Sequence, residues 1–301
     1  IRRPPRSTLS SSSAASDVYK RQILYHGEEQ TTSSLHWGCR LQFNNDGYLF
    51  FTIGDRGNRN KNPQNITLDG GKVYRINEDG TIPNDNPFVN ESGAKKAIFS
   101  YGHRNPQGMF KHPITGEIWT NEHGPRGGDE INIISSGKNY GWPKVVGDSS
   151  DDSHANPIIH SGEQTWAPSG MVFYNSDKIS SYQGNFLVGA LRGQHLMVLD
   201  IANDGSLISA EKMLEGDFGR IRTAQIGPDG VLYLLTANGD NDKIVRVSEA
   251  PVKEVEKFTS SESNAEPLPG SLLISSGETT YRTSGIVDIY SQTLVRVVAP
   301  P

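Results

Sequence analysis

The sequence predicts an all-β fold of the β-propeller kind, on three observations. The 301 residues include 32 glycines and 17 prolines, and apolar stretches seldom exceed five residues, which favours many short strands over long helices. One unit recurs four times: FNNDGYLFFTIGD (43–55), HPITGEIWTNEHG (112–124), YQGNFLVGALRG (182–193) and GPDGVLYLLTANGD (227–240). Each unit is followed by a second strand, in KVYRINEDG (72–80), EINIISSG (130–137), HLMVLDIANDG (195–205) and KIVRVSE (243–249).

Within each unit a glycine-bearing turn precedes an apolar strand, and a polar or Gly-rich loop follows it. The turn glycines are Gly47, Gly116, Gly184 and Gly230, spaced by 69, 68 and 46 residues. Two of the second strands end in Asp-Gly, a strong tight-turn signal. Strand groups repeating at such intervals point to propeller blades, none of which buries its faces alone. A β-sandwich with coincidental Asp-Gly turns is the competing arrangement. Propellers close with about 4 to 8 blades. Four are legible here and the first lacks its start, so the expectation is a partial propeller with about two blades missing before it. In any propeller the loops around the innermost strands surround the central channel, which brings together residues far apart in sequence.

The ends differ in character. Residues 1–22, IRRPPRSTLSSSSAASDVYKRQ, form no packable pattern and resemble translated sequencing adapter. Residues 23–249 carry the blades. Residues 250–272, rich in Ser, Glu and Pro, have the composition of a linker, and 273–301 form an unassigned tail. The start of the tail faintly resembles a cytochrome c opening. Gly285, Asp288 and Ile289 stand where haem attachment requires Cys, Cys and His, so no haem is expected.

Composition excludes several classes. No apolar run approaches the ~20 residues of a membrane helix. A net charge of −5 without Lys/Arg-rich runs argues against nucleic-acid binding. A single cysteine, Cys39, excludes an internal disulfide framework and a multi-Cys metal site.

The densest polar chemistry lies in YGHRNPQGMFKHPITGEIWTNEHGPRGGDEINIISSGKNYGWP, residues 101–143. Before it, His36 precedes the first strand group and Asp55 closes it, and antiparallel strands can bring the two to one edge. A carboxylate on one imidazole nitrogen fixes the tautomer and raises basicity at the other, which suits a general base. The plain alternative is a loop histidine and a turn aspartate. Arg104 and Asn105 stand immediately before Pro106, which holds Asn105 extended or in a turn. An arginine there can stabilise developing negative charge or only bond loop carbonyls.

HGPRGGDEINII (123–134) joins Gly and Pro carbonyls to Asp129 and Glu130, oxygens that suit a hard cation such as Ca²⁺. At a strand start these adjacent carboxylates point to opposite faces, so they can serve two ions or one ion and a structural partner. Solvated acids on a glycine turn are the alternative. Arg192, Arg220 and Arg222 fall on strand-edge loops and would make a channel mouth favouring a polyanion, unless they are unconnected surface groups. Trp166 and Tyr101 offer a flat wall for a ring or a sugar, although core packing is the commoner fate of both.

The motifs SLHWGCRLQFNNDGYLFFTIGDRG, YGHRNPQG, NEHGPRGGDEINII, NYGWP, WAPSG and GRIRTAQIGPDGVLYLLT, in that order, resemble the soluble aldose sugar dehydrogenases that use pyrroloquinoline quinone (PQQ). These six-bladed propellers are also grouped as glucose/sorbosone dehydrogenases, and the resemblance spans about residues 33 to 248. It implies a periplasmic or secreted enzyme oxidising a sugar and passing electrons to an external acceptor. It implies His36 as general base oriented by Asp55, hydride transfer to PQQ, and Arg104 and Asn105 on the quinone oxygens. Gly124 and Pro125 would hold a calcium ion by their carbonyls with Asp129 in the same shell, and Glu130 and Tyr140 would serve a second calcium. Arg192, Arg220 and Arg222 would grip the PQQ carboxylates. Arg192 stands where many relatives have Lys, and His123 replaces a Gln of the best-known branch at the cofactor. Asn60 and Gln64 are both candidates for a further cofactor-contacting amide. Two other classes compete: a calcium-dependent propeller lactonase and a non-catalytic binding propeller.

Overall fold

The computed structural model describes residues 22–28, 32–150, 152–202 and 204–249, with strand backbone at 272–276, 279–283 and 295–298. Residues 1–21 and 250–271, read above as adapter-like segment and linker, lie outside the described residues.

The repeated unit is a four-stranded antiparallel sheet, and it occurs four times. The first sheet runs β1 (Leu41–Phe43), β2 (Leu49–Ile53), β3 (Lys72–Ile76) and β4 (Ile98–Tyr101) in order. The second is β5 (Pro106–Lys111), β6 (Ile118–Glu122), β7 (Glu130–Ile134) and β8 (Ile159–His160). The third is β9 (Pro168–Tyr174), β10 (Asn185–Ala190), β11 (Leu196–Ile201) and β12 (Leu207–Met213). The fourth takes β13 (Ile221–Ile226), β14 (Leu232–Thr236), β15 (Ile244–Glu249) and, from the tail, β18 (Val295–Val298). A separate hairpin pairs β16 (Leu272–Ser276) with β17 (Thr279–Thr283). Among the described residues the one helical turn is Ser180–Tyr182, and no helix is long and apolar enough to cross a membrane.

The strands legible in the sequence are the second and third of each sheet. Both of their faces are covered, so LFFTI reads as a nearly continuous apolar run, whereas the equally buried KVYRI also takes Lys72 and Arg75 inside. The outermost β12, LISAEKM, alternates toward solvent instead. All four turn glycines have positive φ, between 76° and 88°, the left-handed conformation that a side chain resists.

Apolar side chains fill the spaces between sheets. Phe50 and Val73 of the first sheet meet Met109, Ile118 and Ile134 of the second. Trp119 and Ile131 of the second meet Phe186 and Leu199 of the third, with Trp119 stacked on Phe186 at 4.7 Å. Leu187 and Leu196 of the third meet Ile221, Leu232 and Val245 of the fourth. The other face of the first sheet, at Phe51, Tyr74 and Ile76, is covered by Leu24 and Tyr25. Successive sheets touch mainly through their first strands, β1 on β5, β5 on β9 and β9 on β13. These are therefore the innermost strands, and the residues at their starts share one end of the fold.

Candidate active site

His36 lies three residues before Cys39, where the chain turns into β1. Its φ is 52°, and its carbonyl oxygen would lie 2.3 Å from a Cβ placed on Gly54. Only glycine at 54 lets the His36 backbone settle there. From that perch the His36 Nδ1 approaches the Asp55 Oδ1 at 2.6 Å. Asp55 is 1% exposed and takes further hydrogen bonds from Trp142 Nε1 (2.8 Å) and the Gly57 N–H (2.7 Å). Burial pushes its carboxyl up, but the bonds from His36, Trp142 and Gly57 together hold it below its ordinary value. An ionised, acceptor-only carboxylate assigns the proton to Nδ1 and leaves the Nε2 lone pair free. The side chain of His36 is 18% exposed.

The loop after Asp55 is tied from below. The Asn62 side chain donates to the Asp55 carbonyl (3.1 Å). The fully buried Lys72 donates its Nζ to the carbonyls of Asn62 (2.6 Å) and Gly70 (2.7 Å). Burial outweighs the nearby Asp69 charge and pushes the lysine down to about 7. The unfolded chain therefore binds the extra proton between pH 7 and the ordinary lysine range, and stability rises with pH across that window. Urea unfolding from pH 8.5 to 9.5, above the range in which Glu130 titrates, should show this positive slope in the native chain and lose it in Lys72→Met.

Arg104 and Asn105 sit directly against this pair. The Asp55 N–H donates to the Arg104 carbonyl (2.7 Å), and Asn105 Oδ1 accepts from the Gly38 N–H (3.3 Å). The Arg104 Nη1 donates to the His123 carbonyl (2.9 Å), and its Nε is buried with no partner. Two residues that the sequence reading did not assign fix this arginine. Glu122, on β6, accepts from the Arg104 N–H (2.6 Å) and from His103 Nδ1 (2.9 Å), and His103 Nε2 in turn meets Ser100 Oγ at 2.8 Å. Trp142 carries Arg104 over its ring at 5.3 Å and Arg59 at 4.8 Å. The NEHG and NYGWP motifs contain both residues, but nothing in a single sequence separates such a support from core.

Gly124, Pro125, Glu130, Tyr140 and Val146 line one cavity with Arg104 and Glu122, of about 230 Å³ including its open mouth. Glu130 is pushed up to about 8, first by burial and then by the neighbouring Glu122 charge. A bound cation would relieve that, so the donor set fits a hard ion. No group of three His, Cys, Asp or Glu gathers among the described residues, so carbonyl oxygens would have to complete the shell. Asp129 points elsewhere: Oδ1 accepts from the Gly124 N–H (2.8 Å) and Oδ2 from the N–H groups of Trp166 (2.6 Å) and Ala167 (2.8 Å). The Tyr140 hydroxyl is also engaged, donating to the Ile133 carbonyl and accepting from the Ser135 N–H, which leaves its carbonyl as the free oxygen.

The remaining predicted residues separate. Gln64 is committed to Asn139 and the Trp142 carbonyl (2.9 and 2.8 Å), while Asn60 is exposed. Trp166 is buried among Met171, Ala190 and Met197, as core rather than as a wall. His123 donates Nε2–H to the Pro168 carbonyl (2.8 Å), which leaves Nδ1 free, and burial lowers its pKa. Arg192 and Arg220 are exposed, and Arg220 bonds the Ala237 carbonyl (3.0 Å). Arg222 is half-buried and reaches Gln107 and Ser169. None of the three has a carboxylate within 4.0 Å among the described residues.

This arrangement has counterparts. The Glucose / Sorbosone dehydrogenase family model matches residues 6–246. The chain belongs to the glucose/sorbosone dehydrogenase family. Aldose sugar dehydrogenase YliI of Escherichia coli (strain K12) is 42% identical over 226 residues, 71% of this chain and 60% of that protein. A solved glucose dehydrogenase superposes with a TM-score of 0.71 at 34% identity, covering 76% of this chain and 68% of that one. The PQQ-bound form of aldose sugar dehydrogenase from Streptomyces coelicolor gives 0.60 at 29% identity, covering 71% of this chain and 62% of that one. The chain thus spans about 60% of the length of the curated relatives it matches first. As a glucose/sorbosone dehydrogenase family member, it carries its polar groups on the mouth formed by the starts of the inner strands.

Proposed function

We propose that the chain carries the catalytic part of a PQQ- and calcium-dependent dehydrogenase that oxidises aldose sugars at the anomeric carbon to lactones. The observation that carries this reading is the His36–Asp55 pair, held at 2.6 Å beside Arg104 and Asn105. When bound, PQQ supplies the two-electron acceptor for the anomeric C–H. His36 takes the proton of the anomeric hydroxyl at Nε2, and Asp55 holds the ring and steadies the imidazolium that forms. Arg104, whose buried Nε is unpartnered, and Asn105 would hold the quinone oxygens. Arg192, Arg220 and Arg222, with no carboxylate within 4.0 Å among the described residues, would bind the carboxylates, and His123 would stand at the cofactor edge. The carbonyls of Gly124 and Pro125 would hold the Lewis-acid calcium, with Asp129 shaping that loop. Glu130 and the Tyr140 carbonyl would serve the second ion. An external electron acceptor then takes the electrons away.

The test is reconstitution. The chain with PQQ and CaCl₂ should reduce a dye acceptor in the presence of glucose or another aldose, and omission of either PQQ or calcium should abolish the rate. Lactone hydrolysis without PQQ, and no dye reduction with it, would replace the dehydrogenase by a hydrolase.

A further inference from the structure

The first strand of each sheet carries an extra residue near its start. On β5 the pairing steps from Pro106 opposite Glu122 to Gly108 opposite Asn121, which leaves Gln107 over. On β13 it steps from Ile221 opposite Thr236 to Thr223 opposite Leu235, which leaves Arg222 over. On β9 the stretch from Pro168 to Met171 faces the shorter one from Ala190 to Val188, and Ser169 lies within that step. Just before β1, Thr52 serves two residues, accepting from the Cys39 N–H and donating to the Arg40 carbonyl, both at 3.1 Å, with Cys39 at φ 77°.

A bulge takes its extra side chain out of the strand's alternation and re-aims it. Here the re-aimed groups meet. Arg222 Nη1 donates to Gln107 Oε1 (3.1 Å) and Ser169 Oγ (3.4 Å), and Arg40 Nε donates to the Gln107 carbonyl. All four sheets contribute to this polar collar, and two guanidinium groups converge on one glutamine. Both are half-buried, and neither has a carboxylate within 4.0 Å among the described residues. Burial lowers the Arg40 pKa, and the Arg222 charge lowers it further, so the two repel. The Nη groups of Arg40 have no hydrogen-bond partner among the described residues. Two adjacent planar forks with free donors and an unneutralised charge match a carboxylate, which can accept from both.

We propose that Arg40 and Arg222, set by the four bulges, form a carboxylate seat that takes one carboxylate of the cofactor; the identity of that ligand rests on the function proposed above, the seat itself does not. Arg40 is then a binding residue for the cofactor, alongside the arginines at the mouth.

Two titrations of the full chain test this: PQQ with calcium, followed by quenching of tryptophan fluorescence, and sodium malonate at fixed ionic strength, followed by the shift in thermal midpoint. Arg40→Gln, checked for native circular dichroism, should weaken PQQ binding by about 10- to 100-fold and remove the malonate-dependent shift. Arg40→Lys, which keeps the charge, should retain part of both. If Arg40→Gln does not fold, Arg222→Gln should give the same pair of losses. Native-like binding of both ligands by a folded Arg40→Gln overturns the seat, as does a malonate-dependent shift no larger in the native chain than in Arg40→Gln. Malonate stabilisation of the native chain without PQQ binding keeps the seat and removes the cofactor.

Discussion

His36→Asn is expected to lower sugar turnover by about 10²- to 10⁴-fold, the range of a lost general base. The site gives a specific reason for so large an effect. The Asp55 carboxylate takes up Nδ1 at 2.6 Å, so Nε2 is the ring's only free lone pair, and asparagine cannot replace it. PQQ binding and the unfolding midpoint should change little, because the loop is held by Gly54, Gly57, Asn62 and Lys72 rather than by the imidazole. Asp55→Asn should be less selective. It weakens the hold on His36 and also the bond from the Trp142 indole at 2.8 Å, so stability falls together with rate. Steady-state rates at saturating PQQ, read beside unfolding midpoints, check both. A His36→Asn rate within a few-fold of native would remove the base from the mechanism.

Asp129→Ala should be the most destabilising single change at the site, by about 3–5 kcal/mol. The carboxylate is 1% exposed and accepts from three main-chain N–H groups, those of Gly124, Trp166 and Ala167. Alanine leaves these donors buried without an acceptor, at about 1–3 kcal/mol each before partial relaxation. Asp129→Asn keeps the shape but sets an amide N–H₂ against one set of donors, so it should fall between native and alanine. Because the same bonds aim the loop at Gly124 and Pro125, calcium affinity should fall in the same order. Chemical denaturation and calcium titration of the three proteins measure the two effects. Calcium affinity unchanged in a folded Asp129→Asn would show that the loop holds its shape without the carboxylate.

The parts legible in the sequence were those governed by local periodicity. Middle strands such as LFFTI advertise themselves because both faces are apolar, IWTNE does so only by its Ile118–Trp119 start, and Gly47, Gly116, Gly184 and Gly230 mark their turns. Strand geometry allows Asp55 and His36 to meet at one edge, and only the resemblance of the surrounding motifs gives the pair its roles. The innermost strands were harder to see: PQGMFK and IRTAQI carry Pro106, Gln107 and Arg222 where alternation would put apolar residues. Their bulges break the two-residue period that identifies a strand. The three main-chain N–H groups that converge on Asp129 are not legible either, because a sequence shows a carboxylate but not its donors. Glu122 and His103 were invisible as a support for Arg104, since their link runs from one strand to the loop before its neighbour.

The way the sheets meet has a consequence for how the chain acquires its site. Apart from β18, which joins β15 from the tail, each sheet pairs strands consecutive in sequence, so its loops are inexpensive to close and its formation is largely local. The site draws on His36, Arg104 and Arg222, which no single sheet contains. Strand content can therefore appear while the mouth is still unmade, and ligand binding begins only when the sheets dock through β1, β5, β9 and β13. Affinity for the bound carboxylates is thus a report on tertiary docking, which backbone spectroscopy alone would miss.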